Sequence, residues 1–191
     1  MVTKDYAQEI SEVFNYQSYA NLMHYIGSQC NGRKMRFDKS DFVEISLEEY
    51  SNGRFLWVDE EGYDNIDTVY DYKLECKFVE HSLFTKKKVV LKEQTAEYTI
   101  KNTQGDSKGD RIKNPADYYL FFQQNAMGIL SGTEINNYTS GTGDKITAQI
   151  PLKALSLVFC PKDVELKNYS LLDYKKEKRD MQRRIIRTFI N

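Results

Sequence analysis

Hydrophobic positions recur with a helical period near the start of the chain and give way to a strand-like pattern in its middle. Over residues 5–30 the apolar residues follow a helical spacing, and Asn31-Gly32 comes next as a helix stop signal. We predict one helix there. Residues 35–80 are rich in aromatic and β-branched residues and carry a turn signal at Asn52-Gly53. This segment predicts several strands and one short helical turn around Leu47–Tyr50.

The second half of the chain predicts further strands and a final helix. Within residues 86–104, Val89, Val90 and Leu91 fit either a strand or a buried helix, and residues 97–103 predict a strand. Residues 116–132 are the clearest buried strand, because a short apolar run is typical of the centre of a sheet. Residues 146–159 add a strand and a short connection, and residues 171–189 predict a basic helix.

These elements predict one domain. The patterns follow one another over residues 1–191 without an internal repeat or a low-complexity linker. The length suits a single domain, and a hydrophobic share of 40% is enough for a sizeable core. We therefore expect an α/β (mixed α+β) fold, with a central mixed sheet flanked by helices and a basic helix at the C-terminus.

Composition argues against a membrane span and against a zinc site. No run of eighteen apolar residues occurs, and the charged start lacks the apolar segment of a signal peptide. The three cysteines are widely spaced and form no Cys-X-X-Cys pair, and the two histidines lie far apart. We expect no membrane partner and a reducing, cytoplasmic setting.

Charge is distributed unevenly, although the net charge is only −1. Residues 41–75 carry eleven acidic and two basic side chains, whereas residues 77–113 carry nine basic and five acidic ones. Residues 173–187 are again basic, with seven basic and three acidic side chains. Such a pattern suits a metal-dependent enzyme that acts on a polyanion, but charge blocks of this size are more often solvated faces.

The most informative motif lies in the acidic segment. Glu75 and Lys77 are separated by one residue, so on a strand they share one face, with Leu74 and Cys76 on the other. An aspartate eleven residues before Glu75, or another eight residues before it, can fold back through a hairpin. These two aspartates are Asp64 and Asp67. Carboxylates are ligands that Mg²⁺ prefers, and a lysine beside the metal can orient water and offset negative charge.

This arrangement resembles the PD-(D/E)XK nuclease superfamily, which includes the type II restriction endonucleases. The family pattern is an aspartate, a variable spacer and then Glu/Asp-X-Lys on the next strand, which Glu75-Cys76-Lys77 matches. Asp64 is the preferred match to the aspartate and Asp67 the second choice. The order of a helix, the motif strands and a buried strand is also similar.

The resemblance implies a restriction-endonuclease-like fold and a Mg²⁺-dependent endonuclease that hydrolyses double-stranded DNA. Among such enzymes, a type II restriction enzyme is the first choice. Asp64, Glu75 and Lys77 would be catalytic, and Asp64 or Asp67 would bind Mg²⁺ together with Glu75. The resemblance also implies a homodimer, since palindromic sites are read by two-fold symmetric dimers. Its setting would be a bacterium, an archaeon or a phage.

Residues 99–114, which include the end of the predicted strand at residues 97–103 and the loop after it, are the candidate for DNA contacts. This segment is polar, contains glycine and supplies side chains that suit phosphates and base edges. These candidate DNA-binding residues are Lys101, Asn102, Thr103, Gln104, Lys108 and Arg111. A solvated loop without a ligand is the alternative.

Two other interpretations stay open. A cross-strand ion pair between Glu75 and Lys77 would leave a non-catalytic α/β module that binds nucleic acid or protein. A repair or junction nuclease would use the same site but prefer DNA structure over sequence. A second Glu-X-Lys, at Glu165–Lys167, is excluded as the motif because too little chain follows it to complete a core.

Overall fold

The structure is a computed structural model that describes residues 2–30, 39–60, 62–79, 95–101, 112, 114–142, 145–167 and 178–190. Its helices are α1 (Thr3–Val13), α2 (Tyr16–Cys30), α3 (Lys39–Glu49), α4 (Gly132–Ile135) and α5 (Lys178–Thr188). Its strands are β1 (Phe55–Glu60), β2 (Tyr63–Asp67), β3 (Tyr72–Phe78), β4 (Thr95–Lys101), β5 (Tyr118–Gln123), β6 (Ala126–Ser131), β7 (Thr139–Thr142), β8 (Lys145–Pro151) and β9 (Ser156–Phe159). No helix in these ranges is long and apolar enough to cross a membrane.

The central sheet has six strands in the order β1-β2-β3-β5-β6-β9. The strands β3 and β5 run parallel, and the other neighbouring pairs of this sheet are antiparallel. A second sheet of three antiparallel strands has the order β4-β8-β7. The predicted α/β (mixed α+β) class with a central mixed sheet is therefore confirmed.

Two apolar clusters cover the two faces of the central sheet. The larger one includes Leu74, Leu120 and Phe122 of the sheet and side chains of α1, α2, α3 and α5. The smaller one includes Tyr119 and Phe121, which alternate with Leu120 and Phe122 along β5. Because both its faces are covered, β5 is buried at every position, as expected for a central strand.

The predicted single helix over residues 5–30 is wrong, since two helices occupy this segment. The chain is extended at Phe14, with φ −88° and ψ 122°, and α2 begins two residues later. Asn15 then caps α2, because its Oδ1 accepts a hydrogen bond of 3.0 Å from the Ser18 N–H. Apolar spacing continues across this break, so periodicity alone does not reveal it.

Two other elements differ from the predictions. The helical turn around Leu47–Tyr50 is the end of a full helix, α3, whose buried Phe42, Val43 and Ile45 make the segment resemble a strand. The single strand predicted over residues 116–132 is a hairpin of β5 and β6. Gln123 pairs with Ala126, so only two residues form its turn.

The remaining predictions agree where the structure describes the chain. The strand expected at the end of residues 86–104 is β4, and α5 lies within the predicted basic helix. The segment 146–159 contains all but the first residue of β8, a 3₁₀ turn and β9. Residues 80–94 and 168–177 lie outside the described residues.

A buried ion pair joins the first helix to the sheet. The Arg54 guanidinium donates to both carboxylate oxygens of Asp67, at 3.2 and 3.0 Å, and lies 2.6 Å from Glu9 of α1. The Tyr6 hydroxyl, also on α1, donates to Asp67 at 2.7 Å. The Asp67 side chain is 0% exposed. This contact fixes the β2–β3 hairpin against α1.

We predict that Arg54→Met strongly destabilises the protein. The variant leaves a buried carboxylate without its cation, which costs about 3–5 kcal/mol in the free energy of unfolding. Urea denaturation at neutral pH measures the loss. Arg187→Met is the matched control: its side chain is 61% exposed and pairs with Glu49, so we expect only a small loss of stability. Equal losses in the two variants would contradict a special role for Arg54.

Candidate functional site

Strand alternation brings Glu75 and Lys77 to the sheet face that is turned away from α1, α2 and α3. Their neighbours Leu74 and Cys76 are buried in the cluster beneath those helices. In the parallel register Glu75 lies beside Tyr119 and Lys77 beside Phe121, two members of the cluster on the other face. The predicted division of β3 into two faces is therefore present in the structure.

Asp64 lies on the same face, next to Glu75. Asn65 pairs with Leu74 and Ile66 with Lys73, so the register places Asp64 opposite Glu75. The Asp64 Oδ2 accepts a hydrogen bond of 2.7 Å from the backbone N–H of Cys76. This bond holds the Asp64 carboxylate against the short segment that carries Glu75 and Lys77.

Glu75 and Lys77 form an ion pair. The Lys77 Nζ contacts the Glu75 Oε1, with side chains 32% and 13% exposed, respectively. Burial acts to lower the pKa of Lys77, but the charge and hydrogen bond of Glu75 and the charge of Asp64 outweigh it. The pKa of Lys77 is therefore raised, and the lysine is protonated at neutral pH. The arrangement suits an electrostatic role for Lys77 and not that of a general base.

The two carboxylates fit a magnesium ion. Mg²⁺ in nucleotide-processing sites is held by one or two carboxylates, with water and phosphate oxygens as its other ligands. Asp64 and Glu75 supply two such groups on adjacent strands. Within the described ranges no group of three metal-ligating His, Cys, Asp or Glu residues forms, so a cage made of protein ligands alone is not present there.

Asp67 does not join this site. It lies three residues after Asp64, on the buried face of β2, where Arg54 and Tyr6 bind it. Burial acts to raise the pKa of Asp67, but hydrogen bonds from Arg54, Tyr6 and the Val69 N–H and the Arg54 charge outweigh it. The pKa of Asp67 is therefore lowered. Of the two aspartates between which the sequence left a choice, the structure brings only Asp64 beside Glu75.

Only the first of the predicted DNA-binding residues lies in the described part of the chain. Lys101 ends β4, and its register partner on β8 is Lys145. Asn102, Thr103, Gln104, Lys108 and Arg111 lie outside the described residues.

The acidic and basic segments of the sequence partly neutralise one another. Arg183 of α5 contacts Glu48 and Glu49 of α3, and Arg187 binds Glu49. The Tyr50 hydroxyl donates to the Ile186 carbonyl at 2.7 Å. The helix α5 is thus packed on α3, and these two arginines are engaged there.

Tyr119 lies beside Glu75 at the site, and Glu44 of α3 lies near the Cys76 thiol on the opposite face of the sheet. The sequence reveals neither. Burial raises the pKa of the Cys76 thiol, and the charges of Asp64, Glu44 and Glu75 raise it further. The Glu44 Oε2 also accepts from the Trp57 indole N–H at 3.3 Å. The sequence does not predict the position of Glu44, because the composition of its helix is typical of a strand. The position of Tyr119 beside Glu75 follows only from the pairing of β3 with β5.

Comparison with known proteins does not identify a family for this chain. No protein-family model, no curated protein and no solved structure matches this chain. The function must therefore be inferred from the geometry of the site.

The assignment of Asp67 to a structural role predicts how stability depends on pH. Because its pKa is lowered in the folded protein, Asp67 contributes stability above its unfolded-state pKa of about 3.9. That contribution is lost as the pH falls through the folded-state pKa. We expect Asp67→Asn to be less stable than the wild type at neutral pH and the difference to shrink below about pH 4. Urea denaturation at a series of pH values tests this, and a constant difference would contradict it.

Proposed function

We propose that this protein is a Mg²⁺-dependent endonuclease that hydrolyses phosphodiester bonds of double-stranded DNA. The observation that carries the proposal is the position of the Asp64 carboxylate, bonded to the Cys76 N–H between Glu75 and Lys77. Two hard ligands and one ammonium then share a sheet face. This combination suits phosphoryl transfer to water and resembles the site pattern of the PD-(D/E)XK nucleases.

Each of the three residues has a separate task in the proposed reaction. Asp64 and Glu75 hold the metal, and a bound Mg²⁺ supplies Lewis-acid chemistry that activates water and stabilises charge on the phosphate. Lys77, kept protonated, donates to the attacking water or to a phosphate oxygen and offsets the developing negative charge. Water adds to phosphorus while the bond to the leaving sugar oxygen breaks, and that oxygen takes up a proton.

A type II restriction enzyme that acts as a homodimer is the specific form that we propose. It would have a restriction-endonuclease-like core and operate in the cytoplasm of a bacterium or archaeon, or be encoded by a phage. Support comes from the element order, because α3 and three antiparallel strands of the central sheet are followed, after β4 of the second sheet, by the parallel strand β5. Such an enzyme cuts long duplex DNA into discrete fragments, whereas a junction nuclease prefers branched DNA.

We predict that Lys77→Ala lowers the rate of DNA cleavage by roughly 10²–10³-fold, the cost of removing one electrostatic donor from a reacting phosphate. Long duplex DNA with Mg²⁺, beside a sample with EDTA, is the assay. Lys167→Ala is the matched control, since Lys167 is exposed and belongs to the second Glu-X-Lys of the chain. Equal cleavage rates of the two variants would contradict a catalytic role for Lys77. DNA binding without cleavage by the wild type would favour a non-catalytic module.

Metal binding can be measured without DNA. We expect Asp64→Asn and Glu75→Gln to lose Mg²⁺ affinity in isothermal titration, because each removes one charged ligand and keeps the shape of the side chain. In the Asp64→Asn variant the new amide oxygen can still accept the Cys76 N–H, so the fold is retained. Lys77→Ala removes a neighbouring positive charge and should bind Mg²⁺ at least as well as the wild type. Retained Mg²⁺ affinity in both carboxylate variants would show that the ion is held elsewhere.

A further inference from the structure

A second lysine lies on the same sheet face as the proposed metal ligands. Lys73 precedes Glu75 by two residues on β3, so the two side chains share a face and their Cα atoms are about 7 Å apart. Its register partner on β2 is Ile66, whose partner on β1 is Leu56. Leu56 is 44% exposed and Lys73 is exposed, so both side chains are accessible to a ligand.

The Lys73 ammonium lies over the ring of a residue that adjoins the site in sequence. Its Nζ lies 4.9 Å from the centre of the Tyr63 ring, and Tyr63 directly precedes Asp64. The Lys73 backbone N–H donates to the Asp117 carboxylate at 2.8 Å, which fixes the main chain at this point. The Lys73 side chain therefore starts opposite Ile66 on β2 and extends to Tyr63, the residue before the proposed metal ligand Asp64.

The two lysines of β3 differ in how their charge is used. Lys77 is half-buried and bound to Glu75. The Lys73 ammonium rests on an aromatic ring, and among the described residues no carboxylate forms an ion pair with it. A cation on a ring face keeps its charge and its N–H donors, and these donors can bind a phosphate oxygen.

We propose that Lys73 binds the backbone phosphate next to the scissile one, with Tyr63 as the platform that holds its ammonium. This inference rests on the proposed nuclease function and deepens it, because it names the residue that positions the substrate strand. Lys73 would thus be a substrate-binding residue. Lys77 would act at the reacting phosphate, two positions beyond Glu75.

The test is the salt dependence of DNA binding, measured by fluorescence anisotropy with a labelled duplex in EDTA, where cleavage does not occur. Losing one phosphate contact lowers the slope of log affinity against log salt by about one. We expect this change, with binding several-fold weaker, for Lys73→Gln, and a wild-type slope for Lys73→Arg. Lys4→Gln is the matched control, because Lys4 is exposed on α1, on the other side of the sheet.

The outcomes separate this inference from the proposed function. If the wild type cleaves DNA but Lys73→Gln has the same slope as Lys4→Gln, the phosphate contact of Lys73 would be contradicted. The proposed nuclease function would not be affected. If Lys73→Gln lowers the slope but the wild type never cleaves DNA, the result would support the phosphate contact of Lys73 and contradict the nuclease function. A wild type that does not bind DNA would overturn both. A lower cleavage rate at saturating DNA with an unchanged slope would assign Lys73 to the chemistry and not to binding.

Discussion

The buried ion pair between Arg54 and Asp67 is the contact on which the rest of the site depends. A carboxylate without exposure is tolerated only when it is paired and hydrogen-bonded, and Arg54, Tyr6 and the Val69 N–H meet that need. The pair therefore fixes which face of β2 is buried. A slip of one residue would move Asp67 out of the core and Asp64 into it, at the cost of an unpaired buried charge. Asp64 is held on the outer face as a result.

Cys76 connects the two faces of the sheet at this point. Its backbone N–H binds Asp64 on the outer face, while its buried side chain lies 3.5 Å from the Asn65 Oδ1 on the inner face. The position of the proposed metal ligand is thus tied to the packing of the core. A carboxylate held by a main-chain donor has little freedom left to lose, so the proposed site would need little rearrangement to bind a cation.

The charged side chains of the chain serve two purposes in different parts of the structure. The acidic side chains Glu48 and Glu49 of α3 are matched by Arg183 and Arg187 of α5, so much of the contrast between segments serves helix packing. The lysines Lys73 and Lys77 on β3 are different, because they flank a carboxylate on an outer sheet face. Counting charges along the chain cannot separate these uses, since partners more than one hundred residues apart decide them.

Local alternation and turn chemistry were enough to predict part of this protein from its sequence. They predicted the mixed fold class, the shared face of Glu75 and Lys77, and a strand over residues 97–103 that overlaps the observed β4, because a strand has a fixed period of two. Which aspartate approaches Glu75 follows only from the folded chain, since Asp64 and Asp67 are equally able to fold back and only the long-range contact with Arg54 distinguishes them. The same holds for the break between α1 and α2, where the Asn15 N–H donates to the distant Tyr50 carbonyl at 2.8 Å. Such pairings join distant parts of the chain, so no local pattern reveals them.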